Sequence, residues 1–468
     1  MIPLSATLQV AANALTQDST AIGITGQNLA NQTTPGYAVQ TVEPLSDAFD
    51  LSGNEPGGVT INTGNSRSQF AEQAVWYQQS QSGQYQAFTD NATAVGQVMD
   101  LNDVTGSTGI LGSLTTLLQS FTTLAASPHS SATQNGVIEN AQAFASSIAT
   151  AAQTVQQAVT NAQSGAQDTV SQINQLVGEV QQYNQQIATG VTPSATTQAQ
   201  AYAALESLSN LVPINTQLSN NGTISIFTNG STPLLSGVQQ FKLQATLVGP
   251  TAGSAYPGGN PTLEILDGQG KNVTSSITGG QLGGQINFLN NFAPTLIGNG
   301  SQQGALNQIA ESFADSVNST VGGSTPLFQY ASGNATGIAG SLQVNSSYTS
   351  ADLASAIAAN PNAPETLASI TSGATPATQI NGQSFSAFLN TTESNAASAI
   401  DTQQSGLNMS TQLLQQAQAN RTQIQGVNLD AESVHLIQYQ EAFQASSEVI
   451  SVINSMMQTA ENMLTLTT

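Results

Sequence analysis

The sequence predicts a mainly α-helical chain with an inserted β domain: terminal helices paired as a coiled coil, a long helical rod domain, and a small antiparallel β domain between two helical runs. Three observations carry this. Apolar residues recur every seven positions near both ends, an Ala- and Gln-rich run from Val137 to Val212 keeps helical spacing, and the pattern switches to period two after Pro213.

In the first helix Leu8, Leu15, Ile22 and Leu29 lie seven apart, with Leu4 and Ala11 on a second row that Asp18 and Thr25 interrupt. Asn31-Gln-Thr-Thr-Pro-Gly-Tyr37 ends it: Asn31 tolerates a left-handed conformation, Pro35 cannot continue a helix, and Gly36 permits a tight turn. Val59 and Ile61 alternate with polar residues as a short strand, and helix returns from Phe70 to about Tyr85 and from Leu111 to Leu124. The run from Val137 to Val212 places Phe144, Ile148, Val155, Val159, Val170 and Ile173 at threes, fours and sevens, as in long paired helices broken near Thr189–Pro193. Next, Thr223–Phe227, Phe241–Val248 and Thr262–Leu266 alternate as strands, and Gln281–Phe288 leads back to helix at Ala305–Val321. Residues 322–382 are loop-rich, and helix resumes over Phe385–Ile424.

The last helix, Glu432 to Leu466, carries the broadest stripe. Ala442, Val449, Met456 and Met463 form one row, Ala445, Val452, Thr459 and Leu466 a second, and Phe443, Ile450, Met457 and Leu464 widen it, with Ile453 beside them. A lone helix so striped is marginal in water, so the two ends are expected to meet and the rest to be an insertion. The expected divisions are 1–50 and 421–468 for the two halves of the terminal helical domain, 51–212 and 289–420 for the rod, and 213–288 for the β domain.

Composition narrows the function. Four Lys and Arg stand against 26 acidic residues in 468, a formal charge of −22, so the chain lacks the cations that displace phosphate counterions, and neither nucleic acid nor an anionic membrane is an expected partner. With only 6% charged residues, Gln, Asn, Ser and Thr must supply the polar surface. A chain with few cations avoids large positive charge in acid, which fits an acidic habitat, and compositional drift fits equally. There is no cysteine, and the N-terminus MIPLSATLQV has neither a basic region nor an apolar core of the kind a cleaved signal carries. The expectation is a cytoplasmic protein or one exported with its N-terminus intact. His129 and His435 lie far apart, HExxH and GxSxG are absent, and Gly268-Gln-Gly-Lys-Asn272 lacks the Ser/Thr of a phosphate loop and reads as a turn. No catalytic, cofactor-binding or metal-ligating residue is expected, and the chain is not expected to be an enzyme.

Two stretches resemble a known family. Asn28-Leu-Ala-Asn-Gln-Thr-Thr-Pro-Gly-Tyr37 is similar to the N-x-x-T-P-G-Y segment of the rod, hook and hook-associated axial proteins of the bacterial flagellum, and Gly426-Val-Asn-Leu-Asp430, with Glu432 and Tyr439–Ala445, resembles their C-terminal signature. The long helical run brings the chain nearest the hook-associated proteins at the hook-filament junction. Val39 stands where arginine is common in the family, which leaves charge pairing at that corner open. The resemblance implies a structural subunit, secreted through the flagellar type III apparatus without a cleaved signal peptide and added in a ring at the distal end of the hook. The terminal helices would line the inner tube and the β domain would face outward. Implied partners are the hook protein, other hook-associated proteins, further copies of the chain and an export chaperone. The implied assembly residues are the seam positions above, Asn31, Pro35, Gly36 and Tyr37 at the turn, and Val427 and Leu429 before the last helix. A secreted binding module or adhesin acting through its β domain, and another hook- or rod-type subunit, are the alternatives.

Overall fold

A computed structural model describes residues 4–46, 59–101, 108–229, 231–256, 259–331 and 337–465. The chain opens with α1 (Leu4–Ala30) and a hairpin of β1 (Gln40–Ser46) and β2 (Val59–Asn65), paired from Gln40↔Asn65 to Ser46↔Val59. The rod begins with α2 (Gln69–Val98) and α3 (Gly109–Ala126). Next comes α4 (Ser131–Ala188), whose 58 residues give a helix of about 87 Å at 1.5 Å per residue. Its Ala- and Gln-rich sequence contains no proline, and its buried positions follow the helical spacing read above. It stops at Thr189, before Gly190 with φ +80° and Pro193. The break therefore falls at the Gly-Thr-Pro cluster, and α5 (Ala195–Leu211) starts from a Ser194 cap that accepts from Thr197 N at 3.1 Å.

The β segment is antiparallel, as expected, and consists of two sheets. β3 (Ile214–Leu218), β4 (Ile224–Thr228), β5 (Pro233–Ser236) and β6 (Gln239–Gln240) form an antiparallel sheet in that order, while β7 (Gln244–Val248) pairs separately with β8 (Thr262–Leu266). Residues 281–288, expected within the β domain, are helical: α6 (Gly280–Asn287) runs into a π-helical turn, Phe288–Phe292, then α7 (Ala293–Ile297) and α8 (Ala305–Val321). The loop-rich region contains β9 (Phe328–Tyr330) paired with β10 (Leu342–Val344), α9 (Gly337–Ser341), α10 (Ser350–Ala359), α11 (Ala363–Ser369) and a tight hairpin of β11 (Gln379–Ile380) and β12 (Gln383–Ser384). Two long helices close the chain, α12 (Phe385–Gln425) and α13 (Leu429–Thr465).

The rod core centres on Phe313 of α8, whose ring lies 4.9 Å from Phe144, 5.2 Å from Phe385, 5.9 Å from Phe328 and 6.5 Å from Phe121. One side chain thus ties α3, α4, β9 and α12 together. A chain so poor in charge fastens strands to helices with amides instead. Asn174 of α4 donates to Leu243 O and accepts from Leu243 N, both at 2.9 Å. Asn184 grips Ile224 in the same way at 2.7 and 2.8 Å, Asn290 grips Leu263 at 2.8 and 2.9 Å, and Asn318 grips Phe328 at 2.9 Å twice. Each side-chain amide offers one donor face and one acceptor face, as a neighbouring strand would, and it does not titrate.

Candidate functional site

The two ends of the chain meet. α1 and α13 pack antiparallel, with Asn28 beside Glu432 and Asp18 beside Ser446. On α1 the innermost positions are Ala11, Ala21, Thr25 and Asn28, with Leu8, Leu15, Ile22 and Leu29 half-buried around them. On α13 the inward row is Glu432, Leu436, Tyr439, Phe443, Ser446, Ile450, Ile453 and Met457, a 3–4 alternation that keeps one face on α1.

Two sequence expectations change here. Asp18 and Thr25 do not interrupt the seam: Thr25 is buried, and Asp18 accepts from the Ser446 hydroxyl at 3.2 Å. The two rows read first on the last helix, through Ala442 and through Ala445, face outward instead. Ala442 is exposed, and Val449, Val452, Met456 and Met463 are 47%, 58%, 54% and 65% exposed, because Phe443, Ile450 and Met457 occupy the side against α1. Leu429 is also exposed and Val427 half-buried. The side chains of Leu4, Leu464 and Leu466 lie outside the described residues.

The turn after α1 is fastened to both the last helix and the rod. The buried Asn28 amide donates to Glu432 Oε2 at 3.1 Å and to Gln40 O at 3.0 Å, and accepts from Gln40 N and from the Tyr37 hydroxyl, both at 2.9 Å. The two stretches that resembled one family in sequence thus touch in space. Burial, and then the charge of Glu432, push the Tyr37 phenol up to about 12. Asn31 keeps a negative φ, bonding Gln27 O through its side chain at 2.9 Å, and the left-handed residue of the turn is Gly36 at φ +73°. A Cβ on Gly36 would lie 2.3 Å from Ala199 O and 2.8 Å from Ala203 N, so the turn seats its backbone directly on α5 and no larger residue fits. Pro35 is exposed beside it.

Beneath the turn lies a charged cluster that sequence reasoning missed. Arg67 binds Glu72 at 2.5 Å and Gly36 O at 2.6 Å, with its guanidinium 3.6 Å over the Tyr202 ring. Arg421 reaches Glu72 at 3.2 Å and holds Glu206 with two bonds, of 2.7 and 3.2 Å. Burial alone would lower the Arg421 pKa, but Glu206 and Glu72 more than reverse that. Gln425 completes the joint: it donates to Glu72 at 2.7 Å, accepts from Ser68 N at 3.0 Å, and its main-chain oxygen accepts from Val39 N at 3.0 Å. Both crossings of the chain between terminal helices and rod are clipped at this point. Charge pairing at the corner therefore exists without an arginine at position 39. The signal was present in the composition, since Arg67 and Arg421 are two of only four basic residues. Partnering two of so few cations with Glu72, itself buried, was invisible without the fold.

His129 and His435 are both exposed and far apart in the chain, and among the described residues no group of three or more His, Asp or Glu is placed to hold a metal ion. Residues 267–271 form the expected turn, with Asp267 Oδ1 accepting from Gln269 N and Lys271 N at 2.9 Å. No described helix is long and apolar enough to cross a membrane.

Comparison with known proteins adds two family matches. The family described as flagellar hook-associated protein FlgK helical domain matches residues 96–324, and the family described as flagellar basal body rod FlgEFG protein C-terminal matches residues 418–463. Among solved structures, the flagellar hook junction protein FlgK from Burkholderia pseudomallei is similar, with a TM-score of 0.45 and 24% identity. That match covers 55% of this chain and 47% of that one, so the chain aligns with less than half the length of its structural relative. No curated protein matches the sequence.

Proposed function

We propose that this chain, whose residues 96–324 match the helical domain of the flagellar hook-associated protein FlgK family, is the structural subunit that joins hook to filament. The observation that carries the reading is the outward apolar row of α13, set beside a closed α1–α13 pair and above a rod of that family. Val449, Val452, Met456 and Met463 leave a water-exposed ridge on a helix whose other side is already occupied. In a tube of subunits, the helices of neighbouring copies would cover it. The rod would form the next layer and the β sheets the outer surface, with the hook protein and other hook-associated proteins as axial neighbours.

Export through the flagellar type III route, with an uncleaved N-terminus and a dedicated chaperone, follows from the same reading. The absence of cysteine and the small number of charged side chains suit a chain that must pass a narrow channel unfolded and refold outside. The test is a strain lacking this gene, examined by electron microscopy. Hooks without filaments, with filament protein released to the medium, are the expected result. Normal filaments on that strain would remove the junction role.

A further inference from the structure

A cleft of about 620 Å³ opens on the rod between the first half of α12, the π-helical turn with α7, the start of α8 and the β11–β12 hairpin. It lies toward the opposite end of α12 from Arg421 and uses none of the joint residues. Its size falls within the range of small-molecule sites, about 300–1,000 Å³. Its lining contains no acidic, basic or histidine side chain.

The cleft is lined largely by side-chain amides and hydroxyls. Elsewhere the buried asparagines that face strands are paired on both sides. At the cleft the side chains of Gln302, Gln383 and Asn395 are exposed and that of Gln308 is half-buried, all without a hydrogen-bond partner among the described residues, and the one buried amide atom left unpaired is Gln403 Oε1. A buried amide oxygen left unpaired is costly, and such a group calls for an explanation. One wall is a π-helical turn, an irregularity concentrated at functional sites. Half-buried Phe388 supplies apolar surface between the amides, whereas Phe88 and Phe292 in the same wall are only 2% and 6% exposed.

We propose that this cleft binds a short neutral oligosaccharide. Every sugar hydroxyl both donates and accepts, as every amide does, and the apolar face of a pyranose ring suits a phenyl surface. Without a cation in the lining, phosphates, uronic acids and nucleotides have no counter-charge. The walls are mostly helical, with main-chain groups already spent inside the helices, so an extended peptide finds no ladder to join. The site is independent of the tube-forming helices and would operate in a single subunit.

The test uses the full-length chain with N,N′-diacetylchitobiose, maltotriose and a capped tetra-alanine peptide, read by saturation-transfer NMR and calorimetry. At least one sugar should bind. Gln308→Ala and Asn395→Ala should each weaken it by about tenfold, the effect of losing one well-made hydrogen bond. Gln403→Leu removes the unpaired oxygen and should weaken the sugar while holding or raising the melting temperature, a combination that damage to the fold would not produce. Failure of both sugars to bind, binding unchanged by these substitutions, or binding of the peptide in their place would each overturn the proposal.

Discussion

Tyr37 and Arg67 each show how a single side chain holds the corner between terminal helices and rod. The Tyr37 phenol is raised from its ordinary value of 10.0 to about 12, so the folded corner favours the protonated form. Its stabilisation is therefore complete below pH 10 and is lost as pH rises through about 12. Amide exchange of residues 28–40, followed from pH 9 to 12, should show protection falling across that window, and Tyr37→Phe should remove the dependence. A corner that loosens equally in both proteins would place the sensitivity elsewhere. Arg67 has a side chain 6% exposed against a Glu72 side chain 2% exposed. Arg67→Gln should cost about 3 kcal/mol in a denaturant titration, because it leaves buried carboxylate charge partly uncompensated. A loss under about 0.5 kcal/mol would mean that the pair behaves like a surface bridge.

At the scale of an element, α13 presents two faces whose roles can be separated by neighbouring substitutions. Val449 is 47% exposed on the outer row and Ile453 is 5% exposed on the row against α1. Val449→Asp should leave the circular dichroism and melting of the dilute subunit unchanged while abolishing assembly, since its carboxylate stays hydrated until another helix covers it. Ile453→Asp should instead loosen the α1–α13 pair in the subunit itself, because an unpaired carboxylate cannot remain charged in that contact without several kcal/mol of cost. The periodic pattern announced the stripe but not which half of it faces inward. A stripe wide enough for two neighbours looks the same in sequence whichever neighbour belongs to the same chain. Polar Asp18 and Ser446 settle the choice, because they pair with each other in the narrow contact. That pairing depends on the antiparallel register.

Across the whole molecule the β sheets form an excursion whose ends touch. Gly279 lies so close to the return point that a Cβ there would sit 3.5 Å from Pro213 Cβ, and one on Gly280 would sit 2.4 Å from Leu211 O. Replacing Pro213–Gly279 by a short Gly/Ser linker is therefore expected to yield a soluble helical protein that, on the proposed junction role, still joins hook to filament. Its melting temperature should fall, because the excision uncovers the stretch of α4 around Asn174 and Asn184 that the sheets now cover. Motility and electron microscopy of a strain carrying only the shortened gene provide the check. Detached filaments, despite export and a folded product, would assign a junction contact to the β domain.

Periodicity and composition by themselves determined the helical rod, the break before Pro193, the existence of strands after Pro213 and the meeting of the two ends. These are properties of runs of ten or more residues, and local spacing reports them directly. They did not determine where the β segment closes: residues 281–288 carry two glycines, which weaken a helix locally, and α6 forms because α2 packs against it. Only the tertiary structure decided that Arg67, Glu72, Glu206 and Arg421 are one cluster, since 349 residues separate Glu72 from Arg421. Only it decided which apolar row of α13 is left exposed. Local patterns record what a segment must bury, whereas the identity of the surface that buries it is a long-range property fixed by how the whole chain closes on itself.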